Sequence, residues 1–440
     1  MEKIALIGLG YIGLPTALVA ARHGLSVIGY DIDSYRVKCI NAGNAFIQEP
    51  DITEILQDVL QNNQFYATTK LEPADCFIIA VPTPFKEKNE HNIVQKQADL
   101  SYVWNAASAL APVLQKGNTV ILESTVPVGT TQKLASFLEH ATGLKAGIDF
   151  YCVHCPERVL PGRIFYELVH NPRIIGGINL ESVHQAKLFY KKFVKAELYL
   201  TTAATAEMVK LIENSSRDVA LAFAHQVADI AQAAGLNPYE VIELANKHPR
   251  VNILHPRCGV GGHCIAVDPW FLIETFHAQT HLLQTARRIN DHKPLSIVHS
   301  IQKICLTKQT KQPCKTLILG VTYKPNVDDI RESPALFITQ QLLKDPAFQV
   351  RVCEPHCIPS ALASKGIYEA MSLIEGLAWA DMVIALVDHA FFKNQCDQIA
   401  THPHILDFCG LLYQPRIKED TQEHLLWSGD QDSAIHYDQL

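Results

Sequence analysis

Residues 3–31 read KIALIGLGYIGLPTALVAARHGLSVIGYD, and the order of residue types in this stretch predicts the fold of the first half of the chain. The apolar run KIALI is typical of a buried strand, and the glycine motif GLGYIG follows it directly. A helical pattern comes next, and a second apolar run, SVIGY, ends at Asp31. Strand, glycine turn, helix and strand in this order predict a dinucleotide-binding unit.

The glycines and the acidic residue of this stretch each have a physical role in such a unit. Gly8, Gly10 and Gly13 allow a tight turn and the close approach of a pyrophosphate to the helix N-terminus. Asp31 stands where a carboxylate is needed for the ribose hydroxyls, and its charge repels a 2′-phosphate. We therefore predict NAD rather than NADP, although Arg36 lies close enough in sequence to leave the second cofactor open.

Size and composition limit the classes of protein to consider. A chain of 440 residues exceeds what one hydrophobic core usually serves, so we expect two or three domains. The net charge of −7 argues against a nucleic-acid partner, and no apolar run reaches the roughly 18 residues of a membrane span. Twelve cysteines without a recognisable secretory signal favour reduced thiols and a cytoplasmic location. No cysteine and histidine spacing indicates a metal site.

Two further strand patterns, residues 76–81 and 119–123, end in polar loops that contain proline. Ligands of open α/β sheets bind at the carboxyl ends of the strands, which makes Thr83 and Thr125 candidate cofactor or active-site residues. Ordinary capping of the loops by threonine is the alternative.

The candidate for the chemistry is Cys264, in the stretch HPRVNILHPRCGVGGHCIAVDPW at residues 248–270. The glycines before it can present successive N–H groups to an oxyanion, and Asp268 follows four residues later. Donors of this kind also favour the thiolate form of a cysteine. The alternative is a small buried cysteine beside a glycine turn.

A long helical pattern runs from residue 201 to residue 235. Glu207, Lys210, Asn214 and Arg217 fall on one face of it, and much of the remaining surface is apolar. Such a polar stripe either faces a ligand cleft or is simply solvated, and the spacing alone leaves both interpretations open.

The second half of the chain repeats the strand and helix alternation. The run KTLILG at residues 315–320 precedes a polar loop, VTYKPNVDDIRESP, and a helical pattern. Strand patterns at residues 350–353, 382–387 and 404–408 follow. This half lacks the glycine motif, so we expect a second parallel sheet that binds another nucleotide rather than a second dinucleotide.

Together these segments resemble the nucleotide-sugar 6-dehydrogenase family, and within it the branch that acts on UDP-N-acetyl-D-mannosamine in bacterial surface polysaccharide synthesis. The motifs that carry the resemblance are GLGYIGLPTA, VPTPF, ESTVPVGTT, CPERVLPG, AEMVKLIENSSRD, HPRVNIL, GVGGHCIAVDPW and YKPNVDDIRESP. They occur in family order from residue 1 to about residue 390, so the resemblance covers most of the chain.

The resemblance implies an α/β fold with two Rossmann-like, doubly wound parallel-sheet domains, joined by a long central helix and a helical middle region. The implied segments are an NAD-binding domain at 1–198, a central dimerisation region at 199–300 and a UDP-binding domain at 301–415. The polar, acidic composition of residues 416–440, which lack a clear period, predicts a flexible tail. The resemblance also implies a homodimer and a four-electron, NAD-dependent oxidation of the sugar C6 alcohol to a carboxylate. The aldehyde stage is held on Cys264 as a thiohemiacetal, which becomes a thioester that water cleaves.

Residue roles follow from the matching motif positions. The implied catalytic residues are Cys264 as nucleophile, Lys210 and Asn214 at the C6 oxygen, Asp268 and Glu157 at the water, and Thr125 holding a water. The implied NAD contacts are Gly8, Gly10, Tyr11, Ile12, Gly13, Asp31, Thr83, Thr125 and Arg331. The implied UDP-sugar contacts are Arg158, Val159, Lys210, Asn214, Arg217, His248, Arg250, Gly261, Tyr323 and Lys324.

One departure and one branch marker bear on the choice of sugar. The family's glycine-proline-glycine approach to the cysteine is replaced here by Arg257-Cys258-Gly259, which brings a charge and a second thiol to the substrate loop. His263 resembles the enzymes that act on N-acetylhexosamines, and the HPRVNIL run favours the mannosamine over the glucosamine branch. UDP-N-acetylglucosamine and UDP-glucose are the alternative substrates. A two-electron dehydrogenase and a non-catalytic nucleotide-sugar binding protein remain as further alternatives.

Overall fold

The computed structural model describes residues 2–47, 49–90, 93–262, 264–307 and 313–414. The predicted tail at 416–440 and the expectation attached to His263 lie outside these residues. Within them the chain divides into two compact units. Of the described residues, the first comprises those within 2–213 and 270–277, and the second comprises those within 214–269 and 278–414.

The strands of the structure are β1 (Lys3–Ile7), β2 (Ser26–Tyr30), β3 (Phe65–Thr68), β4 (Cys76–Ile79), β5 (Phe85–Glu90), β6 (Ile93–Ala98), β7 (Thr119–Leu122), β8 (Tyr151–His154), β9 (Arg173–Gly177), β10 (Leu198–Thr202), β11 (Cys314–Leu319), β12 (Phe348–Cys353), β13 (Met382–Ala385) and β14 (Ile405–Asp407).

The α-helices are α1 (Gly13–Arg22), α2 (Ser34–Asn41), α3 (Ile52–Gln61), α4 (Ser101–Leu110), α5 (Thr130–Thr142), α6 (Ile164–His170), α7 (Leu180–Tyr190), α8 (Ala203–Ala233), α9 (Pro238–Ala245), α10 (Asp268–Thr275), α11 (His281–Thr307), α12 (Pro334–Lys344), α13 (Pro359–Ala363), α14 (Leu373–Trp379), α15 (Ala390–Lys393) and α16 (Cys396–Ala400). Short 3₁₀ turns lie at Ala111–Val113 and His277–Gln279.

The first unit is organised around an eight-stranded sheet with the order β10-β9-β8-β7-β4-β1-β2-β3. The pairs are parallel except for β8 with β9. Within β1, Ile4 and Leu6 belong to the core on one face of the sheet, and Ala5 and Ile7 belong to the core on the other. Alternate residues of a strand point to opposite faces, so this run is apolar throughout because both faces are covered.

The second unit contains a four-stranded sheet with the order β12-β11-β13-β14, and all its pairs are parallel. Ile318 of β11 lies in the core on one face, whereas Leu317 and Leu319 lie in the core on the other. The predicted fold class, with two Rossmann-like parallel sheets, is thereby confirmed. The four predicted domain ranges remain a prediction.

Several predicted elements end earlier or later in the structure than the sequence pattern indicated. The strand pattern at 76–81 ends at Ile79, and the helix pattern that began at residue 201 becomes α8 only at Ala203. Thr201 and Thr202 pair with β9 instead, as the last residues of β10. The polar segment after β4 forms the antiparallel hairpin of β5 and β6.

Candidate active site

The glycine turn after β1 is as tight as the motif requires. Gly8 has φ +98°, a region that favours glycine, and a Cβ atom built there would lie 2.6 Å from the Ala80 carbonyl oxygen. A Cβ at Gly13 would lie 1.8 Å from the Gly8 oxygen, so α1 can start at this point only from a glycine. Nothing lies within 4 Å of a Cβ at Gly10, which leaves the turn open on that side.

The N-terminus of α1 follows directly from this turn. Ile12 is the N-cap residue, and within the described chain no side chain caps the first N–H groups of the helix. Tyr11 is partly buried against the core beside it. Uncapped N–H groups at a helix N-terminus behind a glycine turn are suited to bind a pyrophosphate.

Asp31 follows β2 directly and is 5% exposed. Its Oδ2 accepts hydrogen bonds from Leu9 N at 2.9 Å and from Arg36 Nη1 at 2.9 Å, and its Oδ1 accepts one from Asp33 N at 3.0 Å. The carboxylate is thereby fixed at the carboxyl end of the sheet. Arg36, which left NADP open in the sequence, has its charge paired with Asp31 in the structure.

The loops that carry Thr83 and Thr125 are connected by one serine. Ser124 Oγ accepts a hydrogen bond from Val81 N at 2.9 Å and donates one to Val81 O at 2.7 Å. Both threonines are partly exposed. Adjacent loops at the carboxyl ends of β4 and β7 thus present the two threonine side chains on one edge of the sheet.

Glu207 of α8 fixes the end of the second of these loops. It is 1% exposed, and its carboxylate accepts hydrogen bonds from Gly129 N at 2.6 Å, Thr131 N at 2.7 Å and Thr131 Oγ1 at 2.6 Å. Burial raises the pKa of Glu207, while these donors act in the opposite direction. The polar residue that begins the stripe on α8 therefore caps α5 rather than facing solvent.

Glu157 lies in the loop after β8 and takes part in a buried network that the sequence analysis missed. Its Oε1 accepts a hydrogen bond from Arg158 N at 2.7 Å, and its Oε2 accepts one from Arg173 Nη2 at 3.0 Å. Arg173 Nη1 lies 3.5 Å from Glu123 Oε1, which also accepts the Tyr190 hydroxyl at 2.9 Å. Burial raises the pKa of Glu123 to about 7.

The side chain of Arg158 does not pair with its sequence neighbour Glu157. Its Nη1 donates to Glu213 Oε1 at 2.7 Å, and its Nη2 donates to the Pro172 carbonyl oxygen. Arg158 and Glu213 line a cavity of about 670 Å³ beside β9 and β10. Val159 packs against the core below the first sheet.

Lys210 lies on α8, one turn after Glu207, and is partly exposed. Burial lowers the pKa of His154, at the end of β8, to about 3, and the nearby ammonium of Lys210 acts in the same direction. The imidazole is therefore neutral at physiological pH, and it leaves Lys210 as the cation of this pair.

In the second unit, Cys264 lies on an exposed turn immediately before α10. Its carbonyl oxygen accepts hydrogen bonds from Val267 N at 3.0 Å and Asp268 N at 2.9 Å. Asp268 is 3% exposed, and its Oδ2 accepts a hydrogen bond from Asn214 Nδ2 at 2.5 Å. The backbone of the predicted nucleophile is thus hydrogen-bonded to that of the predicted carboxylate, and the side chain of this carboxylate is hydrogen-bonded to the predicted amide.

Gly261 and Tyr323 pack closely in the same unit. A Cβ at Gly261 would lie 2.5 Å from the Glu332 carbonyl oxygen and 2.9 Å from Tyr323 Cβ, and a Cβ at Gly262 would lie 2.9 Å from the Tyr323 ring. The glycines therefore allow the loop before Cys264 to lie directly on the loop that carries Tyr323.

Lys324, the next residue, is half-buried. Burial lowers its pKa, and Arg257 acts in the same direction, whereas Asp329 and Cys264 oppose the shift. Arg257, part of the departure from the family motif, is thus a second cation in the vicinity of Lys324. Two neighbouring cations favour an anionic ligand at this place.

The remaining predicted contacts lie on the surface of the second unit. Arg217, His248 and Arg250 are exposed side chains. Arg331 is held by Asp329, whose two oxygens accept from Arg331 Nε at 2.9 and 3.1 Å and from Nη2 at 2.6 Å. The binding roles of these four residues stay predictions.

The second sheet repeats the hydrogen-bond arrangement around Asp31. Glu354 directly follows β12, and its carboxylate accepts hydrogen bonds from Val321 N at 2.8 Å and His356 N at 2.9 Å. Val321 lies two residues after β11, as Leu9 lies two residues after β1. His356 lies three residues after β12, as Asp33 lies three residues after β2.

The third protein partner of Glu354 is a histidine, whereas the third partner of Asp31 is Arg36. His389 Nε2 lies 3.3 Å from Glu354 Oε2, and His389 Nδ1 accepts a hydrogen bond from Asn326 N at 3.0 Å. Both side chains are fully buried. This carboxylate and its histidine partner therefore anchor the loop that carries Tyr323 and Lys324. No local sequence pattern indicates the pairing of Glu354 with His389.

Three structural absences apply to the described residues alone. Among them, no group of three or more His, Cys, Asp or Glu side chains could hold a metal ion. No disulfide links any of the twelve cysteines, all of which lie in the described ranges. None of the helices found there combines the length and the apolar character that crossing a membrane requires.

Family models match the chain in three consecutive segments. They are described as the NAD binding domain (residues 2–194), the central domain (204–292) and the UDP binding domain (317–414) of the UDP-glucose/GDP-mannose dehydrogenase family. The chain belongs to this family. The predicted family, enzyme class and NAD cofactor are thereby confirmed, and the UDP binding domain is what a UDP-sugar substrate requires.

Individual relatives agree with this assignment. A UDP-N-acetyl-D-mannosamine dehydrogenase from Campylobacter jejuni is 44% identical over 91% of this chain and 98% of its own length. An NDP-N-acetyl-D-galactosaminuronic acid dehydrogenase from Ralstonia nicotianae is also 44% identical, over 94% and 97%. The crystal structure of a UDP-D-ManNAc dehydrogenase from Pyrococcus horikoshii superposes with a TM-score of 0.85 at 41% identity, covering 94% of this chain and 96% of that one.

Proposed function

We propose that this family member oxidises UDP-N-acetyl-D-mannosamine at C6 to UDP-N-acetyl-D-mannosaminuronate, in four electrons and with two NAD. The observation that carries the proposal is the exposed Cys264 on the turn before α10, four residues before the buried Asp268, whose carboxylate accepts a hydrogen bond from Asn214. A thiol in this setting can hold an aldehyde that would otherwise hydrate or escape between two hydride transfers.

When bound, NAD would supply the oxidant, and each of two NAD would accept one C6 hydride and become NADH. Loss of the first hydride and of the hydroxyl proton converts the C6 alcohol to an aldehyde. The Cys264 thiol adds to the aldehyde carbon and its proton passes to the aldehyde oxygen, which gives a thiohemiacetal. Loss of the remaining C6 hydride and of the thiohemiacetal hydroxyl proton gives a thioester. Water then adds to the thioester carbon and the carbon–sulfur bond breaks, so that the products are the carboxylate, the regenerated thiol and two NADH.

We assign the supporting roles by residue type and surroundings. Lys210 acts on the C6 oxygen as acid, base or oxyanion-stabilising group, and Asn214 lies one helical turn further along α8. Asp268 and Glu157 order or activate water, and Thr125 holds a water. The hydrogen bond from Asn214 to Asp268 supports a role for both in the same step.

Binding roles follow the two nucleotides. For NAD we propose Gly8, Gly10, Tyr11, Ile12, Gly13, Asp31, Thr83, Thr125 and Arg331. For the UDP-sugar we propose Arg158, Val159, Lys210, Asn214, Arg217, His248, Arg250, Gly261, Tyr323 and Lys324. The cation pair of Lys324 and Arg257 supports an anionic group, such as a diphosphate, near the second set.

The identity of the sugar rests on the HPRVNIL run and on the relatives. Both 44%-identical relatives carry an N-acetylhexosamine derivative in their names, one mannosamine and one galactosaminuronate. The same chemistry on UDP-N-acetylglucosamine or UDP-glucose is the alternative. A non-catalytic nucleotide-sugar binding protein is the alternative of another class, and the intact set of Cys264, Lys210, Asn214 and Asp268 argues against it.

We also propose a homodimer in the cytoplasm. Ile212, Phe223 and Ile230 are exposed on α8, and their spacing of eleven and then seven residues puts them on one face of the helix. Exposed apolar side chains in such a row favour contact with a second copy of the chain. Twelve cysteines without a disulfide among the described residues support a reducing compartment.

NADH production against a panel of UDP-sugars tests the proposed function. The purified chain is incubated with NAD and with UDP-N-acetylmannosamine, UDP-N-acetylgalactosamine, UDP-N-acetylglucosamine or UDP-glucose, and NADH is counted per sugar consumed. We expect UDP-N-acetylmannosamine to have the highest kcat/KM and to give two NADH. A higher kcat/KM for another sugar would overturn the substrate, and one NADH per sugar would overturn the four-electron reaction.

A further inference from the structure

Glu157 lies outside the helices and strands. Strand β8 ends at His154 and helix α6 begins at Ile164, so residues 155–163 are a loop. A carboxylate that must order a water needs a fixed orientation, because a displacement of 1 Å in a catalytic group can lower a rate by about a hundredfold. The orientation of Glu157 therefore has to come from side-chain contacts.

The structure supplies such contacts to both oxygens of the carboxylate. Arg158 N donates to Oε1 at 2.7 Å, and Arg173 Nη2 donates to Oε2 at 3.0 Å. Two donors on two different oxygens prevent the carboxylate from rotating. The first donor is in the same loop, whereas the second begins β9, which is part of the sheet. Arg173 therefore holds the Glu157 carboxylate in a fixed position relative to the first sheet.

Arg173 is itself fixed on three sides. It is 4% exposed, its Nη1 lies 3.5 Å from Glu123 Oε1, and its guanidinium carbon lies 4.7 Å from the centre of the Tyr190 ring. Tyr190 also donates its hydroxyl to Glu123. A planar guanidinium between two carboxylates uses both ends of its fork, which lysine cannot reproduce.

The two carboxylates around Arg173 are not equivalent. Glu123 Oε2 is buried and has no hydrogen-bond partner among the described residues, and burial raises the pKa of this group to about 7. When Glu123 is protonated and therefore neutral, Glu157 is the one carboxylate of the two that can pair with the positive charge of Arg173. Glu157, with one donor on each oxygen, is the better partner for the cation.

We propose that Arg173 is a positioning residue for the hydrolytic step: backed by Glu123 and Tyr190, it holds the Glu157 carboxylate in the orientation in which Glu157 activates the water that cleaves the thioester. This inference rests on the proposed function of Glu157. It assigns a step to a buried arginine 16 residues away in the chain.

The test measures NADH release and the covalent state of Cys264 in the full-length chain, with the UDP-sugar that the wild type oxidises best. We expect Arg173→Gln to lower kcat by roughly tenfold to a hundredfold while the KM for NAD stays within about twofold. The progress curve should show a burst of two NADH per active site. Intact-mass spectrometry should then find the sugar acyl group on Cys264, as it should in Glu157→Gln.

A double variant separates positioning from a general structural role. If Arg173 acts through Glu157, Arg173→Gln combined with Glu157→Gln should be no slower than Glu157→Gln alone. If the two effects multiply, or if Arg173→Gln slows turnover without a burst and without the adduct, the proposal is overturned. If the wild type itself releases no NADH with any sugar, the proposed function is overturned. This outcome is found before any variant is made, so it is not confused with a failure of the Arg173 proposal.

Two further variants keep the result decisive if Arg173→Gln does not fold. Arg173→Lys retains the charge but can reach only one carboxylate, so it should give a smaller loss of kcat with the same burst and adduct. Arg287→Gln is the matched control, because Arg287 is 1% exposed and pairs with Asp218 at 2.5 Å in the second unit. It should lower the melting temperature without any adduct, and an adduct there would overturn the proposal.

Discussion

Replacing Asp31 by asparagine should change the cofactor preference of the enzyme. The carboxylate is 5% exposed and held by Leu9 N, Asp33 N and Arg36 Nη1. In the proposed cofactor site, this carboxylate would accept hydrogen bonds from the ribose hydroxyls of NAD and would repel the 2′-phosphate of NADP. The amide keeps the size and one acceptor oxygen, so the change removes the charge with little change in packing.

The magnitude follows from the hydrogen bonds that NAD would lose. A hydrogen bond to a charged group contributes about 1.5 to 3 kcal/mol, and each 1.4 kcal/mol is about tenfold in affinity. We therefore expect kcat/KM for NAD to fall roughly tenfold to a hundredfold. The value for NADP should rise, because the repulsion is removed and Arg36 loses its ion-pair partner and can meet a phosphate.

The assay is kcat/KM with each cofactor at a fixed saturating concentration of UDP-sugar. Asp33→Asn is the matched control, since Asp33 caps α2 through Tyr35 N and Arg36 N, and asparagine caps helices equally well. Its ratio of NAD to NADP activity should change far less. An unchanged ratio in Asp31→Asn would refute the reasoning, because Asp31 would then have no part in cofactor choice.

Two other predictions concern the buried groups. His389→Gln should raise the KM for the UDP-sugar several-fold and leave the KM for NAD unchanged. The reason is that His389 and Glu354 anchor the loop of Tyr323 and Lys324. Equal rises in both KM values would contradict this prediction. Burial raises the pKa of Glu123 from 4.5 to about 7. Its contribution to the free energy of unfolding is therefore fully present below about pH 4.5 and is lost as the pH rises through about 7. Thermal unfolding should therefore show a smaller loss of stability between about pH 5 and pH 8 in Glu123→Gln than in the wild type, and equal losses would refute the shift.

The elements of the fold that depend on local pattern could be predicted from sequence. The βαβ unit at the N-terminus is specified within 29 residues, because the glycine turn, the apolar strands and Asp31 each have a local signature. The ends of elements were less predictable, since they depend on partners elsewhere. The pairing of Thr201 and Thr202 with β9, for example, delays the start of α8 to Ala203.

The candidate site also contains some residues that could be predicted from sequence and others that could not. Cys264, Asp268 and Lys210 carry motif signals, and the contact of Asn214 with Asp268 agrees with them. The network behind Glu157 could not be found from sequence, because Arg173 is an ordinary residue at the start of a strand. Only the antiparallel pairing of β8 and β9 brings it to Glu157, and that pairing departs from the otherwise parallel sheet.

The most direct test of the account is NADH release by Cys264→Ser, with Cys258→Ser as the internal control. Cys258 is buried and donates its thiol hydrogen to the Leu386 carbonyl oxygen at 3.2 Å, a bond that a serine hydroxyl can reproduce. Serine at position 264 is a far weaker nucleophile. We predict that Cys264→Ser abolishes steady-state NADH production or stalls at a slow covalent ester, while Cys258→Ser retains most activity. Two NADH per sugar at a near-normal rate from Cys264→Ser would contradict the thiohemiacetal mechanism.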